Sequence, residues 1–212
     1  SGFSPEGVTP HPTNPALLYF FAGGSLFLQG ASSVPVPIAE QIHSYTVSAN
    51  HIYFVTKNGF FVESNLEGAE TRVVGRKGFF LSDDEPAEIT VAPGGDVTVL
   101  DSAGGLFVYQ PDRSMELEPV IGNVRGVSVG DPRDRILFWD DHRLSIYWLT
   151  DNRAQPFDLA RTRKQLFYSE EPIQQAFLNA EGTYVFFSTA NGIRMVEVDQ
   201  RGSTNAYEIV RE

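Results

Sequence analysis

The sequence predicts an all-β fold, a five-bladed β-propeller built of four-stranded antiparallel blades. Three observations predict it: a repeated strand–turn–strand pattern, a period near 40 residues, and glycine-rich turns at fixed places in the repeats. The pattern is clearest at 91–100, 129–138 and 178–187, and more divergent copies occupy 47–55 and 8–20. The second strands of the repeats begin at Leu17, Ile52, Val97, Ile136 and Tyr184. Their mean spacing of about 42 residues is typical of a propeller blade.

Each repeat divides into four short strands. In the second repeat they are predicted near 45–47, 52–56, 60–63 and 71–74, and Asn58-Gly59 marks the turn between the second and third. Asn-Gly between apolar runs is a strong hairpin signal because both residues tolerate positive φ. The fourth repeat departs from this pattern, with Asp141-His142-Arg143 at the same place.

The repeats define the predicted domain organisation. We expect a tag remnant and a lead-in loop at 1–6, followed by one propeller domain at 7–212. The predicted blades cover 7–41, 42–80, 86–122, 124–160 and 173–210. Apolar residues alternate with a period near two, and Gly or Pro interrupts them often, so helix is expected only as a turn or two from Asp158 to Leu166.

Composition narrows the classes of partner. The chain has 212 residues, a formal net charge of -11 and no cysteine. An acidic balance argues against nucleic acid or an anionic membrane surface as partner. No apolar run is long enough to span a membrane. We expect a monomer rather than an oligomer. The opening Ser1-Gly2 is typical of a cleaved tag, so we expect an anchor or export signal upstream in the native protein.

The middle of each first strand carries a small hydroxyl residue in four of the five repeats. The five residues are Thr9, Thr46, Thr90, Ser128 and Phe177. Two explanations stay open: a polar channel that holds water or a ligand, or crowding of the inner strands, which requires small, β-prone side chains.

One turn resembles a known repeat family. The stretch Ala92-Pro93-Gly94-Gly95-Asp96-Val97 resembles the Ser-Pro-Asp-Gly turn of TolB-type, WD-like propeller repeats, and residues 179–184 are similar. The resemblance extends over all five repeats, although the Trp-Asp and Gly-His signatures of true WD repeats are missing. It implies a bacterial, extracytoplasmic role, in the periplasm or at the cell surface, in binding proteins, peptides or glycans.

Two long segments between blades match each other and suggest a binding surface. Residues 76–86 and 163–172 both carry a basic pair, an aromatic residue, Ser, an acidic pair and Pro. Such loops and the second-to-third strand hairpins emerge on the same face of a propeller, where ligands usually bind. The candidate binding residues on this loop face are Asp83, Asp84, Glu85, Asp140, Asp141, His142, Arg143, Glu170 and Glu171. Alternatively, Phe80 and Phe167 plug the blade tops while the acids are solvated and cap turns.

No pattern in the sequence indicates catalysis or a cofactor. The four histidines lack metal-ligand spacing, no Gly-rich phosphate cradle precedes a helix, and no Gly-x-Ser-x-Gly elbow occurs. We therefore expect a non-catalytic platform that binds a protein, peptide or glycan, without metal or cofactor. A small lectin with sugar sites between blades is one alternative. A glycosidase-like propeller enzyme is another, and it would need two carboxylates at a set separation.

Overall fold

The computed structural model describes residues 7–31, 33–75, 79–82, 85–130, 134–153, 157–199 and 205–211. Every regular element within these residues is a β-strand, and none is a helix. In this described part of the chain, twenty strands form five sheets of four, each arranged in chain order and paired antiparallel. The predicted class of five four-stranded antiparallel blades is therefore confirmed. In the described part of the chain, no helix has the length and hydropathy needed to cross a bilayer.

The blades are numbered in chain order, and each takes four consecutive strands. Their bounds are Gly7–Pro10 (β1), Leu17–Ala22 (β2), Ser25–Gly30 (β3) and Val36–Ala39 (β4) in blade 1; Ile42–Val47 (β5), His51–Thr56 (β6), Phe61–Asn65 (β7) and Thr71–Gly75 (β8) in blade 2; Glu88–Val91 (β9), Val97–Leu100 (β10), Leu106–Tyr109 (β11) and Glu118–Ile121 (β12) in blade 3; Gly126–Ser128 (β13), Arg135–Trp139 (β14), Arg143–Trp148 (β15) and Arg163–Tyr168 (β16) in blade 4; and Gln175–Leu178 (β17), Tyr184–Thr189 (β18), Gly192–Glu197 (β19) and Ala206–Arg211 (β20) in blade 5. All five second strands begin within one residue of their predicted starts.

The chain divides into two compact units. The first comprises Ser1–Val91, Val97–Ala103 and Phe107–Pro119, and the second comprises Ala92–Asp96, Gly104–Leu106 and Val120–Glu212. In the first unit β5 contacts β9, and in the second β13 contacts β17. First strands of successive blades therefore adjoin within each unit.

Blade 2 is covered by a neighbouring sheet on each face. One apolar cluster joins it to blade 1 through Ile52, Phe54 and Val62, and another joins it to blade 3 through Tyr53 and Phe61. Consequently β6 is buried continuously over 52–55, as expected of a strand packed on both faces.

A third apolar cluster joins blades 4 and 5 in the second unit. Trp148 of blade 4 and Phe187 of blade 5 both lie in it, and both are about 1% exposed. Arg135 also links these blades, because its guanidinium donates to the Gly182 carbonyl at 3.0 Å while it packs 4.2 Å from the Trp148 ring.

The expected helix from Asp158 to Leu166 is wrong. An isolated bridge pairs Asn152 with Asp158, Arg161 has a φ of 62°, and β16 begins at Arg163. A left-handed residue interrupts helix geometry, and the Arg161 N–H instead donates to the carbonyl of Trp148 at 2.7 Å. The long connection in blade 4 thus lies between its third and fourth strands.

The predicted boundary of the fourth repeat also needs correction. A blade ending at residue 160 would omit β16, so the fourth blade extends to Tyr168. The segment 163–172 is therefore not a long loop, because its first six residues are an outer strand. The matching positions Arg76, Lys77 and Gly78 lie outside the described residues, whereas 79–82 form no strand.

The alternative in which Phe80 and Phe167 plug the blade tops is wrong for Phe80. Phe80 is 71% exposed, and Phe79 is the buried residue, with its ring 5.0 Å from that of Phe107. Phe167 packs against the cluster of blades 4 and 5, with its ring 5.4 Å from that of Phe187.

Candidate functional site

The turn between β14 and β15 is held by a carboxylate. Asp140 Oδ1 accepts hydrogen bonds from the backbone N–H groups of His142 at 2.9 Å and Arg143 at 2.7 Å. An Asp side chain that accepts hydrogen bonds from the backbone of its own turn stabilises that turn. Asp140 thus replaces the Asn-Gly pair that forms the turn in other repeats. Asp140 is therefore a structural cap, and it fixes the direction of the two residues that follow it.

The neighbouring predicted residues are engaged by the loops around this turn. Asp141 accepts from Arg125 Nε at 2.9 Å, in an ion pair whose side chains are both more than half exposed. The ring of His142 contacts the Ser169 carbonyl at 3.0 Å through Nδ1 and stacks on Tyr168 at 5.9 Å. The hairpin and the segment leading to blade 5 therefore meet.

Glu171 is fixed within this same region. Its Oε1 accepts from the Asn191 side chain at 2.7 Å and lies 3.7 Å from Arg194. Hydrogen bonds from Thr189 and Asn191 and the charge of Arg194 hold the pKa of this carboxyl below its usual range. Glu171 stays ionised at neutral pH, whereas a general acid requires a raised pKa.

The other predicted binding residues either face solvent or lie outside the residues that the structure describes. Glu170 and Glu85 are exposed, and the Glu85 N–H donates to the Ser82 carbonyl in a turn. Asp83 and Asp84 lie outside the described residues.

A cavity of about 240 Å³ lies beside the turn that Asp140 caps. Its lining comprises Ile121, Gly122, Asn123, Val124, Phe138, Asp140, Arg143, Ser145, Arg163 and Gln165. The connection from blade 3 to blade 4 supplies one wall, and blade 4 supplies the other. The sequence prediction included only Asp140 and Arg143 of this set. Arg163 was placed in a loop, although its position on β16 brings it to the cavity.

A second polar cluster, which sequence reasoning missed, lies in blades 2 and 3 of the first unit. Glu63 is 8% exposed, and its carboxylate accepts from Arg72 at 2.6 Å, Tyr109 at 3.2 Å and Tyr53 at 3.3 Å. Arg72 also donates to the Tyr109 hydroxyl. A cavity of about 300 Å³ adjoins Glu63 and Arg72, with His51 and Glu70 on its walls.

The buried phenols of this cluster are held in their neutral form. Burial and, after it, the negative charge of Glu63 raise the pKa of Tyr109 to about 12, against the opposing positive charge of Arg72. The pKa of Tyr53 is raised by the same causes, with burial first. One signal could have found the cluster: Glu63 directly follows the apolar pair Phe61-Val62 in a short strand, and a carboxylate requires a partner when it is buried.

The described residues contain no group of three or more His, Cys, Asp or Glu side chains placed to hold a metal ion. Within this part of the chain, the polar clusters are ion pairs and hydrogen-bond networks.

Comparisons with known proteins indicate the fold but no family. No family of known sequences matches the chain, and no curated protein matches it. Among solved structures, it is similar to Hsv2 from Kluyveromyces lactis (11% identity, TM-score 0.53) and to YCF48 from Cyanidioschyzon merolae (10%, 0.56). It is also similar to a structure described as YCF48 bound to D1 peptide (9%, 0.56).

These similarities extend over nearly the whole chain but only part of each neighbour. The alignments cover 93%, 94% and 96% of this chain, and 61%, 71% and 67% of Hsv2, the Cyanidioschyzon YCF48 and the peptide-bound YCF48. The chain thus spans less than two thirds of the length of Hsv2. Since the neighbours are β-propellers, the five sheets belong to the β-propeller fold.

Proposed function

We propose that this protein is a non-catalytic platform that binds a protein or peptide segment at the cavity beside the Asp140 turn. The observation that carries the proposal is the cavity itself, which places Arg143 and Arg163 beside a turn fixed by two backbone hydrogen bonds. Arginine donors suit carboxylates and backbone carbonyls. A peptide with an acidic side chain fits this chemistry.

Two further observations support a peptide partner. The ion pair of Arg143 with Asp140 is long, with 4.0 Å between Nη1 and Oδ2, and 60% of the Arg143 side chain is exposed. Its donors are therefore accessible to a ligand. The YCF48 structure with D1 peptide is an example of a propeller of this general form that binds a peptide.

The test is a selection from a displayed library of random peptides against the immobilised protein. We expect the enriched peptides to contain Asp or Glu, and the double variant Arg143→Ala/Arg163→Ala to bind them at least about tenfold more weakly. Arg211→Ala is the matched control, because Arg211 is exposed on β20, away from the cavity. The absence of enrichment, or equal binding by the double variant, would overturn the proposal.

A glycan is the second candidate ligand, favoured by one observation. Tyr168 is 55% exposed and stacks on His142, which gives a flat aromatic surface of the kind that packs on a sugar ring. A glycan array would test this candidate. Binding that Tyr168→Ala abolishes would support it, and an array without signal would eliminate it.

We also propose that the protein acts outside the cytoplasm of a bacterium, as the TolB-like turns suggest. We further propose that it has no enzymatic activity, since the sequence carries no catalytic motif. Fractionation of cells that express the full-length protein would test the location, and recovery in the cytoplasm would contradict it. Turnover of any member of a panel of fluorogenic glycosides would contradict the non-catalytic assignment.

A further inference from the structure

The cavity beside the Asp140 turn lies against one face of blade 4, and all of its lining residues belong to the second unit. Leu144 and Ile146 of β15 lie in the apolar cluster shared with blade 5. Successive side chains of a strand point to opposite faces, so Arg143 and Ser145 point to the other face. Both of them line the cavity. The cavity therefore lies on the face of blade 4 that turns away from blade 5.

The strands on either side of β15 extend this polar face. Phe138 of β14 and Gln165 of β16 both lie opposite Ser145, one on each side of it. Arg163 of β16 lies opposite Tyr147, two residues further along β15. Phe138, Gln165 and Arg163 all line the cavity. The middle of the cavity therefore carries an aromatic ring, a hydroxyl and an amide.

Ser145 is the residue that points to a ligand. It is 7% exposed, and its hydroxyl makes no hydrogen bond with any residue that the structure describes. Buried polar side chains usually have a hydrogen-bond partner, so this hydroxyl is available to a group that enters the cavity. The amide of Gln165, opposite it, offers both donors and an acceptor. The two side chains suit a ligand that brings unpaired N–H and C=O groups, such as the backbone of an extended peptide.

The two arginines set a distance for the charged groups of the ligand. Arg163 is level with Tyr147, which lies four residues along β15 from Arg143. A rise of about 3.3 Å per residue places the two arginine positions about 13 Å apart along the strand. An extended peptide has the same rise and directs every second side chain to one side, so its residues i and i+4 match this separation. Carboxylates at these two positions can each accept from a guanidinium.

A helical peptide does not match the cavity. A helix with its side chains is about 10 Å or more in diameter, which is too wide for a cavity of about 240 Å³. A helix also satisfies its own backbone, so it has no free N–H or C=O groups for Ser145 and Gln165 along its length. Its residues i and i+4 lie only about 6 Å apart, roughly half the separation of the arginine positions.

We propose that the cavity binds an extended peptide segment that carries two acidic residues four positions apart. One carboxylate pairs with Arg143 and the other with Arg163. The Ser145 hydroxyl and the Gln165 amide hydrogen-bond to the peptide backbone between the two acids. This inference rests on the proposed function, and it specifies which acidic peptides the site selects.

Fluorescence polarisation with labelled synthetic peptides tests the spacing. Each peptide carries two Glu residues in a background of Ser, Thr and Gly, and the series varies only the separation of the acids, from two to six positions. The peptide charge is constant, so repulsion from the formal charge of -11 on the chain affects all of them alike. We expect a separation of four to bind at least about tenfold more tightly than separations of three and five, which direct the acids to opposite sides of an extended peptide.

Three variants assign the contacts. Arg143→Ala and Arg163→Ala should each remove the preference, because one acid of the best peptide then has no partner. Ser145→Ala should weaken every peptide of the series by a similar factor, about three- to tenfold, because it removes a backbone contact and leaves both charges in place. Arg211→Ala is the control on exposed β20 and should change nothing. Circular dichroism and thermal melts establish that all variants are folded.

The contrary results separate this inference from the proposed function. Equal affinity for all separations, in peptides whose binding still requires Arg143 and Arg163, would overturn the inference and leave the peptide site in place. A preference for four positions that persists in both arginine variants would overturn it as well. If the series fails to bind while peptides from the displayed library do bind, the inference alone is wrong. If neither set binds, the proposed function is wrong too.

Discussion

Removal of the buried Glu63 carboxylate tests the energetics of the polar cluster in blades 2 and 3. In Glu63→Ala, the Tyr53 hydroxyl loses its acceptor, while Tyr109 and Arg72 keep the hydrogen bond between them. A buried hydroxyl left without a partner costs about 1–3 kcal/mol. Arg72 is 41% exposed, so water can replace part of its lost partner.

The expected loss in free energy of unfolding is about 3 kcal/mol. This figure lies at the lower end of the range of about 3–5 kcal/mol for removal of one member of a buried ion pair. Glu63→Gln keeps the shape and one carbonyl acceptor, so its loss should be smaller, about 1–2 kcal/mol. The ranking of the two variants separates lost hydrogen bonds from lost packing.

Equilibrium urea denaturation followed by far-ultraviolet circular dichroism measures both losses. Glu70→Ala is the matched control, because Glu70 lies on the wall of the same cavity but is exposed, and it should change stability by no more than about 0.5 kcal/mol. A loss below about 1 kcal/mol in Glu63→Ala would refute the reasoning, and so would equal losses in the alanine and glutamine variants.

Two further predictions follow from the same structure. The folded state holds Tyr109 as a neutral phenol with its pKa raised from 10.0 to about 12, so its contribution to stability is complete below pH 10 and is lost as the pH rises through 12. Tyr109→Phe should lessen the decline in thermal stability between about pH 10 and pH 12. An unchanged decline would contradict the assignment of that decline to Tyr109. Gly192 has a φ of 136°, and a Cβ there would lie 2.1 Å from the Val210 carbonyl oxygen, so Gly192→Ala should destabilise blade 5 by more than about 2 kcal/mol. Gly95→Ala, which also has positive φ but open space around it, should cost less in the same thermal melts, and an equal cost would count against the steric explanation.

Local patterns were sufficient to predict the strands and most turns. Val97 and Tyr184 begin the second strands of their blades, as their position after Gly-containing turns predicted. The turn at Asn58-Gly59 also forms as expected, with Gly59 at a φ of 75°. These features depend on residues only a few positions apart, so the sequence displays them directly.

The fourth strand of blade 4 shows where local reasoning fails. Arg163, Lys164 and Gln165 have the polar character of a loop, yet they pair with β15. An outer strand packs on few neighbours, and charged side chains on an edge discourage pairing with other chains. Its composition therefore looks like that of a solvent-exposed loop, and only the pairing partner distinguishes the two.

The sequence by itself determined the all-β class, the number of blades and the places where most strands begin, because strand alternation and turn chemistry are local. Tertiary structure alone decided that Glu63 meets Tyr109, a residue 46 positions away, and that Arg163 lines the same cavity as Asp140. It also decided that Phe177 is exposed while Tyr53 is buried. Such contacts depend on which sheets cover each other, and the free energy of that packing arises between residues far apart in the chain.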